Sequence, residues 1–151
     1  MTLNEILRNH AFTRGLSETQ IATLAALASE VTFEENELIL EKDQRSQSFF
    51  LVVSGSVSVE LRTTAYAVSV QAVGVGEAFG WSALLNDHDT LFQVRAREHT
   101  TALRLEGTAL KSACHRDTQL GTEILERALG VVADRVKATE IRFAEMCGVR
   151  V

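Results

Sequence analysis

Residues 74–85 form the part of the sequence whose residue types and spacing best indicate a chemical role. They read GVGEAFGWSALL, with glycines at 74, 76 and 80. Gly76 and Gly80 allow tight turns, and a short helix beginning at Ser82 would direct its first backbone amides outward. Amides arranged in this way attract anions. The segment therefore has the backbone pattern of a phosphate-binding loop.

The positive charge that usually accompanies such a loop is missing. Residues 86–91 read NDHDTL, which supplies two carboxylates and no arginine. Asp87 and Asp89 would repel an anion if they faced the loop. The sequence thus predicts suitable geometry for a phosphate with little charge to hold one.

Composition limits the classes of protein to which the chain can belong. It has 151 residues, of which 46% are hydrophobic, and a formal net charge of −5. This length suits one domain with a buried core, and the negative charge argues against direct binding of nucleic acid or an anionic membrane. Cys114 and Cys147 are not in a paired spacing, residues 1–12 lack the apolar core of a signal peptide, and no apolar run is long enough to span a bilayer. We expect a cytoplasmic protein.

The periodicity of apolar residues divides the chain into helices, strands and helices. A helix is predicted over 17–30, where Ser17 and Gln20 form a capping box, and a weaker one over 3–9. From 31 to 106 the pattern changes to period two, as in Val57, Val59 and Leu61. About eight short strands fit there. Their frequent turns indicate an antiparallel roll or barrel.

The C-terminal third predicts a short helix over 109–115 and a long one beginning near Asp117 or Thr118. The long helix carries a row of residues with the four-three spacing of a coiled coil. This row predicts a homodimer through the 120–146 helix, although it could instead pack on the strands of its own domain. A second apolar row on the same helix would pack against whichever of these two surfaces, the partner chain or the strands, the first row does not contact. The first row is Leu125, Leu129, Val132, Val136, Thr139, Phe143 and Met146, and the second is Ile124, Ala128, Val131 and Ala138.

This order of elements resembles the cyclic nucleotide-binding domain of the catabolite-activator and fumarate-nitrate regulator superfamily. Residues 49–59, FFLVVSGSVSV, are similar to its strand-turn-strand signature, and Gly76, Phe79 and Gly80 to the opening of its phosphate-binding cassette. The resemblance implies an α+β fold: an antiparallel eight-stranded β-roll flanked by N-terminal helices and a long C-terminal helix. Residues 1–151 would be one domain, with N-terminal helices in 1–30, the roll in 31–106, its cassette in 76–91 and the last helices in 107–147. Asn36 and Lys42 stand where glycine is common in the family.

Two departures from the family pattern lie in the cassette. Ligand-binding relatives have a glutamate for the ribose after the second cassette glycine, where this chain has Trp81. They have an arginine for the cyclic phosphate about ten residues later, where this chain has Thr90 or Leu91, depending on a one-residue gap. Losing both charged contacts, each contributing about 1.5–3 kcal/mol, would weaken binding roughly 100-fold to 10,000-fold. A bacterial subgroup of short, stand-alone proteins has a similar FGWSAL segment, so the tryptophan is an established variant.

The resemblance also implies the residues of the site. Trp81 could stack on a planar ligand or fill the pocket from within. Ser82 and nearby amides could hold an anion, and Thr139 lies where relatives offer a hydroxyl to the purine. The ligand would be cyclic AMP, cyclic GMP or another small molecule, bound weakly. The predicted binding residues are Phe79, Gly80, Trp81, Ser82, Ala83, Thr90, Leu91 and Thr139.

Three functions are compatible with these features. The first is a non-enzymatic regulatory domain in which a ligand shifts the cassette and the long helix together. The second is a ligand-free dimerisation or docking module whose pocket is filled by Trp81. The third is a small cupin-type enzyme, but the four histidines are dispersed and no metal-binding or catalytic set is found. DNA-binding relatives continue into a helix-turn-helix, which we do not expect within 1–151.

Overall fold

The computed structural model describes residues 1–86 and 89–150. It contains four α-helices, eight strands and one 3-10 helix within these residues. The helices are α1 (Leu3–Asn9), α2 (Glu18–Leu27), α3 (Gly107–Arg116) and α4 (Thr118–Met146), and the 3-10 helix spans Trp81–Leu84. The strands are β1 (Ala28–Phe33), β2 (Leu38–Leu40), β3 (Ser48–Ser54), β4 (Ser56–Arg62), β5 (Ala67–Gly74), β6 (Ala78–Phe79), β7 (Phe92–Ala96) and β8 (Thr100–Glu106).

The strands form two four-stranded sheets in which all the pairs are antiparallel. One sheet has the order β1-β8-β3-β6 and the other has the order β2-β7-β4-β5. The β3–β4 turn joins the two sheets at Gly55, whose φ is +86°. The α+β fold with an eight-stranded antiparallel roll, predicted from the sequence, is therefore confirmed.

Two hydrophobic cores meet at β3, which is buried on both faces. Phe49 and Leu51 point toward the helices and pack with residues such as Leu24 and Leu110. Phe50 and Val52 point into the roll and pack with Val59 and its neighbours. Because successive side chains of a strand alternate between its faces, one apolar strand supports both cores. The unbroken apolar run in 49–53 reflects this position.

The polar residues predicted at turns and helix starts do form them, with one shifted boundary. Ser17 and Gln20 form the capping box of α2, and the Asp117 side chain caps α4 by accepting from the Gln119 and Leu120 amides. However, α2 ends at Leu27 rather than near residue 30, since Ala28 already pairs with Leu105 of β8. Pairing with a distant strand outweighs local helical periodicity there.

Two turns adopt a left-handed backbone conformation without glycine. Asn36 has a φ of 70° and Asp43 a φ of 63°. Asparagine and aspartate tolerate this left-handed conformation better than most residues do. Short polar side chains therefore make both turns, and at the second turn Asp43, not Lys42, adopts the positive φ.

The two apolar rows of α4 have different surroundings. In the second row, Ile124 and Ala128 are buried and Val131 packs against the helical core. Most of the first row is exposed: Leu129 is 68% exposed and Phe143 70% exposed, whereas Val132 is half-buried. Leu125, Val136 and Met146 are exposed as well. In the described residues, no helix is long and apolar enough to cross a membrane.

Candidate functional site

The predicted cassette turns from β6 into the 3-10 helix at Gly80. Gly80 has a φ of +84°, and the Ala83 amide donates to its carbonyl oxygen at 3.1 Å. The buried Ser82 hydroxyl accepts a hydrogen bond from the Ser46 amide at 2.9 Å. The Ala83 amide and the Ser82 hydroxyl oxygen, both suggested as anion ligands, thus already make contacts that hold the cassette against the β2–β3 connection.

Beside the cassette lies a small cavity in the mouth of the roll, which we call the inner pocket. It encloses about 20 Å³ of free space, enough for roughly one water molecule. Pockets for small organic ligands are usually about 300–1,000 Å³. The inner pocket is lined by Leu40, Glu41, Gln44, Ser46, Gly80, Trp81, Ser82, Thr90, Phe92, Val94 and Arg135.

A larger space, the outer groove, lies between the cassette and α4. Its volume is about 540 Å³, which is within the usual range for ligand sites. Four of its residues also line the inner pocket: Trp81, Thr90, Phe92 and Arg135. The remainder of the lining is mostly apolar with two carboxylates at its edge: Leu61, Asp89, Leu91, Val132, Val136, Thr139 and Glu140.

The structure brings together six of the eight residues predicted for binding. Trp81 and Thr90 line both spaces, whereas Leu91 and Thr139 line only the outer groove. Gly80 and Ser82 line only the inner pocket. Phe79 and Ala83 line neither: Phe79 is fully buried and stacks on Phe50 with ring centroids 4.7 Å apart, and Ala83 is buried beneath α3.

Of the two acidic residues predicted to repel an anion, Asp89 is among the described residues and Asp87 is not. Asp89 is exposed and lines the outer groove. Asp87 lies outside the described residues, as does His88. Among the described residues, the negative charges in the lining of the groove are those of Asp89 and Glu140.

Sequence reasoning missed the main charged group of the site, Arg135. It lies on α4 and lines both the inner pocket and the outer groove. The second apolar row of α4 gave a signal, because positions 124, 128, 131 and 138 continue through position 135 at the same spacing. An arginine in a buried row is unusual. In the structure, Arg135 is only 8% exposed.

Few groups compensate the buried charge of Arg135. Its Nε donates to the Gln71 side-chain oxygen at 3.0 Å, and its guanidinium carbon lies 5.2 Å from the centre of the Phe92 ring. Among the described residues, no carboxylate forms an ion pair with it. Burial lowers its pKa to about 10, so the side chain keeps its proton at neutral pH. The site thus contains a mostly buried cation that has no ion-pair partner among the described residues.

The arrangement offers several kinds of binding contact. Trp81 and Phe92 offer aromatic surface, Arg135 offers charged donors, and Thr90 and Thr139 offer hydroxyls. Within 1–86 and 89–150, no group of three or more His, Cys, Asp or Glu side chains is placed to hold a metal ion. The fold and the site together define a β-roll domain with a groove between its cassette and a long C-terminal helix.

Comparison with known proteins agrees with this class. Residues 30–117 match the profile of the cyclic nucleotide-binding domain family. Since this match covers more than half of the chain, the protein belongs to that family. A comparison with curated protein sequences found no match.

Solved structures with the same fold come from several organisms. A cyclic nucleotide-binding domain from Methylobacillus flagellatus has a TM-score of 0.77 and 17% identity, covering 95% of this chain and 82% of that one. The sensor domain of the transcriptional regulator DNR from Pseudomonas aeruginosa has a TM-score of 0.69 and 16% identity, with coverage of 89% and 91%. A regulatory subunit of a cAMP-independent protein kinase A from Trypanosoma cruzi, bound to guanosine, has a TM-score of 0.73 and 21% identity. The match covers 95% of this chain and 49% of that one. These likenesses concern the fold.

Proposed function

We propose that this chain is a non-enzymatic regulatory domain that senses a small ligand between its cassette and α4, with weakened affinity for cyclic nucleotides. The observation that carries the proposal is the identity of the residues at the junction of the two spaces. Trp81 and Thr90 line both the inner pocket and the outer groove, where the family pattern has glutamate and arginine. The cassette therefore supplies no lysine or arginine to this junction.

Available volume supports altered binding as well. About 20 Å³ in the roll cannot hold a ribose phosphate, so a nucleotide must displace side chains there or bind in the outer groove. Thr90 faces both spaces while Leu91 lines only the groove and is 62% exposed. This favours Thr90 as the counterpart of the family arginine. The Trypanosoma cruzi protein, 49% of which this chain matches, was solved bound to guanosine, a nucleoside without phosphate.

An alternative function is a ligand-free dimerisation or docking module. It is favoured by the small inner pocket, one wall of which is Trp81, and by the exposed first row of α4. In the homodimer that we propose, this row would pair with the same row of a second chain. Val132 and Val136 belong to the row and also line the outer groove. Ligand binding and pairing would therefore affect each other.

Isothermal titration with cyclic AMP and cyclic GMP tests the sensor against the docking module. We expect a millimolar dissociation constant for the wild type, and a roughly 10-fold to 150-fold tighter one for Thr90→Arg, which restores one charged contact. Thr90→Gln, which has similar polarity without charge, is the control and should not gain affinity.

Three results would change the assignment. Submillimolar binding by the wild type would contradict a weakened site. If neither the wild type nor Thr90→Arg binds, but Trp81→Ala binds, the pocket is filled by the tryptophan and the docking module is favoured. If the wild type, Thr90→Arg and Trp81→Ala all fail to bind either nucleotide, the sensor function is refuted.

A further inference from the structure

The feature that the proposed function does not explain is the buried guanidinium of Arg135. A charged group removed from water without an ionic partner is unfavourable, and such groups are normally paired or bound to a ligand. Arg135 makes one hydrogen bond through Nε and lies near the Phe92 ring, and no described residue accepts from its two terminal nitrogen atoms. Those atoms carry four N–H donors in a planar fork that matches the oxygens of a carboxylate or phosphate.

We propose that Arg135 is the anion-binding residue of this site and that the ligand is an organic monoanion of about nucleotide size. This inference rests on the proposed function, because it names the chemistry of the ligand in the same groove. The cation comes from α4 and not from the cassette. A negative group bound at Arg135 would lie where the inner pocket and the outer groove meet, and the body of the ligand would extend into the groove.

The remaining lining of the groove limits the ligand further. Leu61, Val132 and Val136 give it an apolar surface, and Trp81 adds an aromatic ring, so a planar or apolar body is favoured. The exposed carboxylates of Asp89 and Glu140 lie at the edge of the groove. They would repel a second negative charge, so a phosphodiester or carboxylate should be preferred to a phosphomonoester, which carries nearly two charges.

The effect of ligand charge is measured with three probes that share the same base and sugar: adenosine, cyclic AMP and 5′-AMP. They are neutral, singly charged and nearly doubly charged, respectively. Protein-observed NMR titration follows weak binding. For the wild type we expect cyclic AMP to bind at least about 10-fold more tightly than adenosine and more tightly than 5′-AMP, since one charged hydrogen bond contributes about a factor of ten or more. Arg135→Met should remove the preference for cyclic AMP over adenosine, and Arg135→Lys should keep part of it. Arg97→Met changes an exposed arginine that lines neither space and is the control.

The thermal midpoint of the ligand-free variants distinguishes binding from a structural role. Replacing a buried ion pair by apolar residues of similar size is often neutral or stabilising, and a buried cation without an ionic partner lacks even the attraction that such a pair provides. Arg135→Met should therefore unfold at or above the wild-type temperature. A large decrease, or failure to fold, would show that Arg135 stabilises the roll, and would overturn the proposal unless Arg135→Lys folds and retains the preference for cyclic AMP.

The titrations also separate this inference from the function on which it rests. If the wild type binds adenosine as tightly as cyclic AMP, or if Arg135→Met binds cyclic AMP unchanged, the sensor remains and the role of Arg135 is refuted. If the wild type binds 5′-AMP more tightly than cyclic AMP, the preference for a monoanion is refuted. If it binds none of the three probes, the role of Arg135 is refuted, and the titrations of Thr90→Arg and Trp81→Ala decide whether the sensor is refuted with it.

Discussion

Replacing Gly80 by alanine tests how strictly the cassette is positioned by its backbone. Gly80 has a φ of +84°, which costs a residue with a side chain about 1–2 kcal/mol. A Cβ atom there would lie 2.6 Å from the Ser48 carbonyl oxygen and 3.2 Å from a ring carbon of Phe50. The first of these atoms belongs to the backbone of β3, which is held on both sides by other strands. It cannot move away as a flexible side chain would.

The two costs add to a large effect for one methyl group. Overpacking of a rigid site typically costs about 1–3 kcal/mol, so Gly80→Ala should lose roughly 2–5 kcal/mol in total. For a domain of this size, each kcal/mol lowers the unfolding temperature by about 2–4 °C. We therefore expect a decrease of roughly 4–20 °C. Relief of the clash would also move Trp81, the next residue, and change the inner pocket.

Differential scanning calorimetry measures the effect, and Gly130→Ala is the matched control. Gly130 lies within α4, and a Cβ atom there would meet nothing within 4 Å. Alanine is favoured over glycine in a helix by about 1 kcal/mol, so this variant should unfold about 2–4 °C higher than the wild type. If Gly80→Ala unfolds within about 1 °C of the wild type, the backbone around Gly80 adjusts to the added Cβ atom, and the inference that the cassette is rigidly positioned is wrong.

Two further predictions concern pH and assembly. His10 is buried, its Nδ1 accepts from the Phe12 amide, and its Nε2 lies 2.8 Å from the Val52 carbonyl oxygen. Burial lowers its pKa, so the unfolded chain takes up a proton at this position at a higher pH than the folded chain does. The free energy of unfolding should therefore be at its full value above about pH 6.5 and decrease as the pH falls below it, by at most about 1.4 kcal/mol per pH unit. Urea denaturation at several pH values measures this, and His10→Gln should flatten the dependence whereas the exposed His99→Gln should not. For assembly, light scattering should give a dimer mass for the wild type, and Leu129→Glu should weaken the dimer roughly 100-fold because it removes two buried leucines. A wild-type monomer at high concentration would refute pairing through this row.

How far the sequence predicts this protein depends on the range of the interactions. Local patterns defined the helix starts at Ser17 and Asp117, the turn at Gly55 and the alternating strands, because caps, turns and period-two burial involve residues close in the chain. They also indicated the family, whose signature is contiguous. The boundary of α2 was predicted three residues too late, since the pairing of Ala28 with Leu105 joins positions distant in sequence.

The candidate site shows the same division more sharply. The sequence by itself determined that the cassette has Trp81 and Thr90 in place of charged residues. Only the tertiary structure decided that Arg135, which lies more than forty residues further along the chain, enters the same site, and that Phe79 belongs to the core instead. Periodicity shows which side of a helix is buried, but what it is buried against depends on how α4 crosses the mouth of the roll. Packing between distant elements sets that geometry, and no local pattern encodes it.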